Sequence, residues 1–226
     1  MPLTLVGLML IIVGFWGFLM ACLIVPGEAW SWDVAKLSTI YGTPTTLSSL
    51  SFNILMGFSG GIIGAWLITR DPFWMMSGAL AGIIATASGL DIYWPPLAFV
   101  MGFAGGALLK PCAAVIERMG IDDAVGAVTV HGTIGLFGLI MLGVWADGFP
   151  AALGAEAATI SLTGQAIGAL VFFLLGFVPA LFISLILNIF GLLRVSNEAE
   201  LAGLDMTKVP ASAYPEGIPP SAVPLK

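Results

Sequence analysis

Long apolar runs broken by short polar or proline–glycine punctuation set the pattern of this chain. A bilayer core of about 30 Å needs roughly 20 residues of apolar helix. Six runs fit, at about Leu3–Val25, Leu47–Thr69, Phe73–Leu90, Leu97–Ile116, Asp123–Ala146 and Leu162–Leu193. Pro26-Gly27 ends the first, and Arg70-Asp71-Pro72 divides the second from the third. The aromatic turn Asp91-Ile92-Tyr93-Trp94-Pro95-Pro96 precedes the fourth, and Glu117-Arg118-Met119-Gly120 precedes the fifth. The mixed stretch Glu28–Thr46 carries Trp30, Trp32 and Tyr41, residues suited to a membrane–water interface. The last run would make a helix about 48 Å long. That is too long for a perpendicular crossing, so it is expected to tilt or protrude, with Pro179 as a kink point. The pattern therefore predicts an all-α integral membrane fold: a six-helix transmembrane domain over 1–193 and a polar tail over 194–226.

Composition strengthens this reading. The 226 residues are 59% hydrophobic and only 9% charged, against about 25% charged in soluble domains. The net charge of −6 comes with no basic patch, so lipid is an expected partner and nucleic acid is not. The first run lacks a basic n-region and is long enough to span, so it reads as a retained helix rather than a cleaved signal. Cys22 and Cys112 fall far apart in apolar stretches and read as small packing residues. Six crossings put both termini on one side, with Arg70, Lys110, Arg118, Arg194, Lys208 and Lys226, while Lys36 stands alone opposite. That bias predicts cytoplasmic termini, in an inner (plasma) membrane of bacterial type. Glycines four apart recur at Gly57/Gly61, Gly60/Gly64, Gly78/Gly82, Gly102/Gly106 and Gly164/Gly168. Such pairs let helices approach closely and predict a tight bundle.

The stretch VTVHGTIGLFGLIMLGVWA, Val128–Ala146, holds the single histidine of the chain, His131. Intramembrane ionisable groups commonly mark a pathway. On an α-helix the face neighbours of His131 are Ala127, Val128, Ile134 and Gly135, none of which can bond an imidazole. Counting from Asp123, His131 is about 12 Å along the helix, near the midplane of a bilayer. A neutral imidazole donates from one nitrogen and accepts at the other, which suits a small polar molecule or a relayed proton. Asp122 and Asp123 read as caps for the start of that helix, with docking of the tail as a second role. One histidine and two distant cysteines make no ordinary metal site. No phosphate loop or nucleophile–base arrangement is present, so an enzyme is not expected. No cofactor is expected either, although a membrane histidine can also ligate a pigment.

These residues carry a resemblance. GIDDAVGAVTVHGTIGLFGLIMLGVWA, Gly120–Ala146, resembles the signature helix of the ammonium transporter/Rhesus family. GLLRVSNEAELAGLDMTKVPASAY, Gly191–Tyr214, resembles that family's cytoplasmic tail, through Leu193-Arg194-Val195, Gly203-Leu204-Asp205 and Ser212-Ala213-Tyr214. Asn53 in SFNILMG matches the asparagine of an inner helix, and Gly78–Gly82 through Thr86 matches the next. Phe15-Trp16-Gly17-Phe18 resembles the phenylalanine-gate helix. The family fold has eleven helices in two inverted halves, with a long slanted last helix, assembled as trimers. This chain corresponds to helices six to eleven only, that is, to the C-terminal half.

The resemblance implies ammonium or ammonia as the substrate and a narrow apolar pore. Phe18, Cys22, Asn53, Thr86 and His131 would line or contact it, and Asp122, Asp123, Arg194 and Asp205 would cap helix ends or dock the tail. Two departures stand out. The family's asparagine-glycine-serine pattern after the gate reads Leu19-Met20-Ala21-Cys22, with Cys22 in place of an ammonium-contacting serine. A His-Gly-Glu element of the tail reads Val209-Pro210-Ala211. The expected function is a half-size transport subunit whose pore another chain completes. Two rivals stay open: a non-conducting structural, assembly or sensory subunit of a larger membrane complex, and a homodimer of oppositely inserted copies. The charge bias of the loops argues against the homodimer.

Overall fold

The computed structural model describes residues 2–22, 39–43, 45–150 and 158–204, with side chains from residue 5 onward. Trp30, Trp32, Lys36, Asp205, Lys208, Lys226 and the Ser212-Ala213-Tyr214 close lie outside the described residues. Two compact units divide the chain, Met1–Phe173 and Leu174–Lys226. The helices are α1 (Pro2–Ala21), α2 (Leu47–Thr69), α3 (Pro72–Ala87), α4 (Pro95–Arg118), a π-turn (Val128–Ile134) running into α5 (Gly135–Trp145), α6 (Leu162–Ile189) and the short α7 (Asn197–Ala202). Among the described residues no strand forms, and Pro150 pairs with Thr159 only as an isolated bridge.

Among the described residues, four helices are long and apolar enough to cross a membrane: α2, α4, the continuous Val128–Trp145 and α6. Leu5–Ala21 and Pro72–Ala87 are apolar but shorter. The third helix was expected to reach Leu90. It stops at Ala87 because Ser88-Gly89 opens a turn in which the Ile92 and Tyr93 N–H groups both bond the Gly89 carbonyl, at 3.1 and 2.7 Å. The last helix has 28 residues, about 42 Å, and continues through Pro179.

Local chemistry fixes the helix ends. Thr46 caps α2 by accepting the Ser49 N–H, and the Ser49 hydroxyl accepts the Thr46 N–H in return. This reciprocal box satisfies two donors that a helix start leaves free. Arg70 ends α2 in the left-handed region (φ 55). Asp71 then accepts the Phe73 and Trp74 N–H groups, and Pro72 pre-sets the first turn of α3.

Glycine determines how α2, α3 and α4 pack. A Cβ on Gly61 would run into the Gly78 carbonyl and the Gly82 Cα of α3, and one on Gly106 into the Gly61 carbonyl. Cβ atoms on Gly60 and Gly64 would meet the Phe99 and Phe103 backbone of α4. Lipid tails are as apolar as leucine, so such backbone approach, rather than expulsion of water, drives association here. Four of the five glycine pairs thus make contacts. Among the described residues Gly164 and Gly168 do not: a Cβ on Gly164 meets only the nearby Ser161 hydroxyl, and one on Gly168 meets nothing within 4 Å. Three hydrophobic clusters make up the core among the described residues, one of them joining Ile92, Tyr93, Leu97 and Met101 to Leu142, Ala146 and Ile160. Leu19 and Met20 of α1 join Leu50, Ile54 and Ile83, while Val130 and Ile134 join Leu80, Ala81, Ala85 and Leu109.

Candidate functional site

The fifth helix was expected to start at Asp123. Instead the regular helical hydrogen bonding begins about five residues later, at the π-turn Val128–Ile134. The reason is how Asp123 is used. Its Oδ1 accepts the Val128 N–H at 2.9 Å, while Oδ2 accepts the Thr129 N–H at 2.8 Å and the Thr129 hydroxyl at 2.7 Å. Gly126, at φ +73, turns the chain between carboxylate and helix. These N–H groups are among those a helix start cannot satisfy internally, and a carboxylate there also meets the positive end of the dipole. His131 is therefore only about 5 Å along the helix from Val128. Asp122 is exposed.

Burial pushes the Asp123 carboxyl up, but the bonds from Val128, Thr129 and Ala127 outweigh it and hold the group below its ordinary value. A depressed folded value means that the stabilisation is complete above the unfolded value of about 3.9 and is lost as pH falls through the folded one. We expect the wild-type chain in detergent to lose more thermal stability on acidification below about pH 4 than Asp123→Asn. Acid-limb melting curves of the two proteins check this, and parallel curves would reject it.

His131 is exposed in the chain, while its neighbour Val130 and Ile134 one turn on are buried. Among the described residues no side chain bonds its ring. On α1, the Trp16 indole N–H donates to the Ser51 hydroxyl of α2 at 3.0 Å, and Phe15 packs against two core clusters. That anchoring turns Phe18 outward, 63% exposed, with its ring edge-on to Phe15 at 5.9 Å. Cys22 is also exposed, and its thiol donates to the Phe18 carbonyl. Phe18, Cys22 and His131 thus stand on the outside of the bundle, on elements whose inner faces share the core.

Two other expected site residues lie inside. Asn53 is 2% exposed, and its Nδ2 donates to the Leu90 and Tyr93 carbonyls, both at 2.8 Å. Thr86 is fully buried and returns its hydroxyl to the Gly82 and Ile83 carbonyls of its own helix. In the second unit Arg194 pairs with Glu200 at 2.7 Å, with both side chains exposed; such a pair is worth little. Ser196 caps α7 by accepting the Ala199 N–H. Sequence reading passed over Thr129, and it named Trp16 only within the gate-helix stretch, without its bond to Ser51. The only signal for Thr129 was a hydroxyl six residues after an aspartate at a helix start.

Apolar helices long enough to span a bilayer, drawn together by glycine and carrying an outward imidazole, define an integral membrane helix bundle. A family model, that of the Ammonium Transporter Family, matches residues 1–214, and the chain belongs to this family. The chain is 33% identical over 219 residues to ammonium transporter Amt1 of Methanocaldococcus jannaschii, covering 95% of this chain and 51% of the relative. It is 31% identical to Amt2 of the same organism, covering 95% and 47%. It is 28% identical to the ammonium transporter of Bacillus subtilis, covering 95% and 52%. The chain spans about half the length of the curated relatives it matches.

Proposed function

We propose that this chain supplies half of an ammonium-conducting unit in a membrane, corresponding to helices six to eleven of the family fold, and that a second chain closes the passage. One observation carries the reading: the single imidazole, His131, stands exposed on a helix whose adjacent residues Val130 and Ile134 are buried. An ionisable ring facing hydrocarbon would be costly, so this flank calls for a polar or protein surface opposite. Membership of the family and the half-length match support ammonium or ammonia as the cargo. Ammonium entering a narrow apolar passage must shed water, and a bare charge there is expensive. A ring that accepts at one nitrogen and donates from the other can take the proton or hold the neutral amine while that happens. Phe18, outward on α1, would narrow the entrance. Asp122 and Asp123 would lie on the cytoplasmic side with both termini.

In the reconstituted assembly, His131→Ala should lower ammonium-dependent current roughly tenfold to a hundredfold, the worth of one polar contact to a charged group in a dry site. Unchanged current would remove His131 from the mechanism. The interior placement of Asn53 and Thr86 favours a second reading, a non-conducting structural or sensory subunit. Purification from native membranes separates the two. A stoichiometric partner carrying the other half supports conduction, and association only with an unrelated complex supports the second reading.

A further inference from the structure

Thr129 and Ile134 are both fully buried, yet they are five residues apart. On an α-helix five residues turn about 500°, which would leave the two about 140° apart and unable to share a face. A π-turn closes its hydrogen bonds five residues apart instead of four. At about 4.4 residues per turn the same five residues turn about 410°, and the two lie about 50° apart. The widened turn is thus the geometry that lets both anchors sit inward at once. Ile134 is held by Leu80, Ala81, Ala85 and Leu109. Thr129 is held by Asp123, through its N–H at 2.8 Å and its hydroxyl at 2.7 Å. A helical threonine ordinarily returns its hydroxyl to its own backbone; this one is committed to a carboxylate outside the helix.

The same turn sets the direction of His131. Three residues before Ile134, it would lie about 60° from that core-facing position on an α-helix, and it lies about 115° away on a π-turn. We infer that Thr129 is a positioning residue: its hydroxyl, clamped by Asp123, holds the widened turn that swings the His131 ring out of the bundle onto its exposed flank. The inference rests on the reading of His131 as the conducting imidazole only for its functional consequence; the orientation itself can be measured without transport. If the clamp is released, the turn can tighten to an α-helix, and the ring moves toward the core.

Because the chain has one histidine, diethyl pyrocarbonate reports on that ring alone. The purified full chain in detergent is labelled, and the rate of imidazole modification is followed for wild type, Thr129→Val and Thr129→Ser. Thr129→Val should slow modification about tenfold, the worth of a hydrogen bond to a charged group, and Thr129→Ser should restore it. A purely structural role would lower the melting temperature of Thr129→Val without changing the modification rate of the folded protein. Should Thr129→Val fail to fold, Asp123→Asn, which keeps the shape and removes the charge, is expected to slow modification in the same way. Wild-type rates in the folded variants overturn the inference, whatever the current does. Slowed modification with undiminished ammonium current leaves the clamp standing and rejects the conducting role of His131.

Discussion

Gly61→Ala is expected to force α2 away from α3 and to destabilise the bundle by roughly 3 kcal/mol or more, at the upper end of overpacking costs. The added methyl would meet the Gly78 carbonyl, and the Gly82 Cα and nitrogen at 2.7 and 2.9 Å. These are backbone atoms and cannot change rotamer to yield. The neighbouring carbonyl of Gly61 also lies where Gly106 of α4 approaches, so moving α2 opens a second interface as well. Gly61→Leu is expected to give no monodisperse protein. Gly168→Ala is the matched control. It changes the same residue type at the same spacing in an apolar helix, with nothing among the described residues within 4 Å of the new Cβ. Alanine there should be neutral or should stabilise by about 0.5–1 kcal/mol, because glycine is the poorer helix former. Unfolding by denaturing detergent, followed for the three proteins side by side, tests the contrast. A Gly61→Ala protein within about 0.5 kcal/mol of wild type, the usual scatter of neutral changes, would show that the three helices do not pack through this glycine.

That contrast marks the boundary of what the sequence could disclose. Glycines four apart state that a helix is able to approach another; they do not state that a partner is there, and α6 carries the pattern without a contact among the described residues. The ends of α2 were legible to the residue because both signals are local: the apolar run that opens at Leu47, where the structure adds a threonine–serine box at Thr46, and the Arg70-Asp71-Pro72 stop. The start of the fifth helix was not. Two adjacent aspartates offered two caps, and only the fold selects Asp123, by looping Ala124, Val125 and Gly126 so that the carboxylate reaches forward to Val128 and Thr129. The π-turn leaves no composition signal either, since VTVHGTI would read the same as an α-helix. Its cause is the separate anchoring of Thr129, by the Asp123 carboxylate six residues back, and of Ile134, by Leu80, Ala81, Ala85 and Leu109. The site residues divide along the same line. The resemblance supplied residue identities, and the direction of each side chain depends on packing: Trp16 bonded to Ser51 turns Phe18 out, and the turn after α3 draws Asn53 in.

Asn53→Leu should therefore act first on a turn and only through it on anything else. Asn53 spends both of its amide N–H donors on the Leu90 and Tyr93 carbonyls. Leucine fills similar space and leaves those two buried acceptors unpaired, at about 1–3 kcal/mol each, so the expected loss is roughly 2–6 kcal/mol. Part of it is offset, because the Asn53 Oδ1 is itself buried without a partner among the described residues and its removal relieves that cost. The loss should be local before it is global. Residues 39–43 and Thr45 hang on the same turn, through the Ile40 N–H to the Ile92 carbonyl at 3.0 Å and the Thr45 hydroxyl to the Asp91 carbonyl. Hydrogen exchange in Asn53→Leu is accordingly expected to rise in 88–94 and in 39–43 together, while the glycine-packed stretch of α2 from Gly57 to Gly64 stays protected. Were Asn53 instead free to serve a passage, its replacement would change conduction and leave exchange in both segments as it is in the wild type.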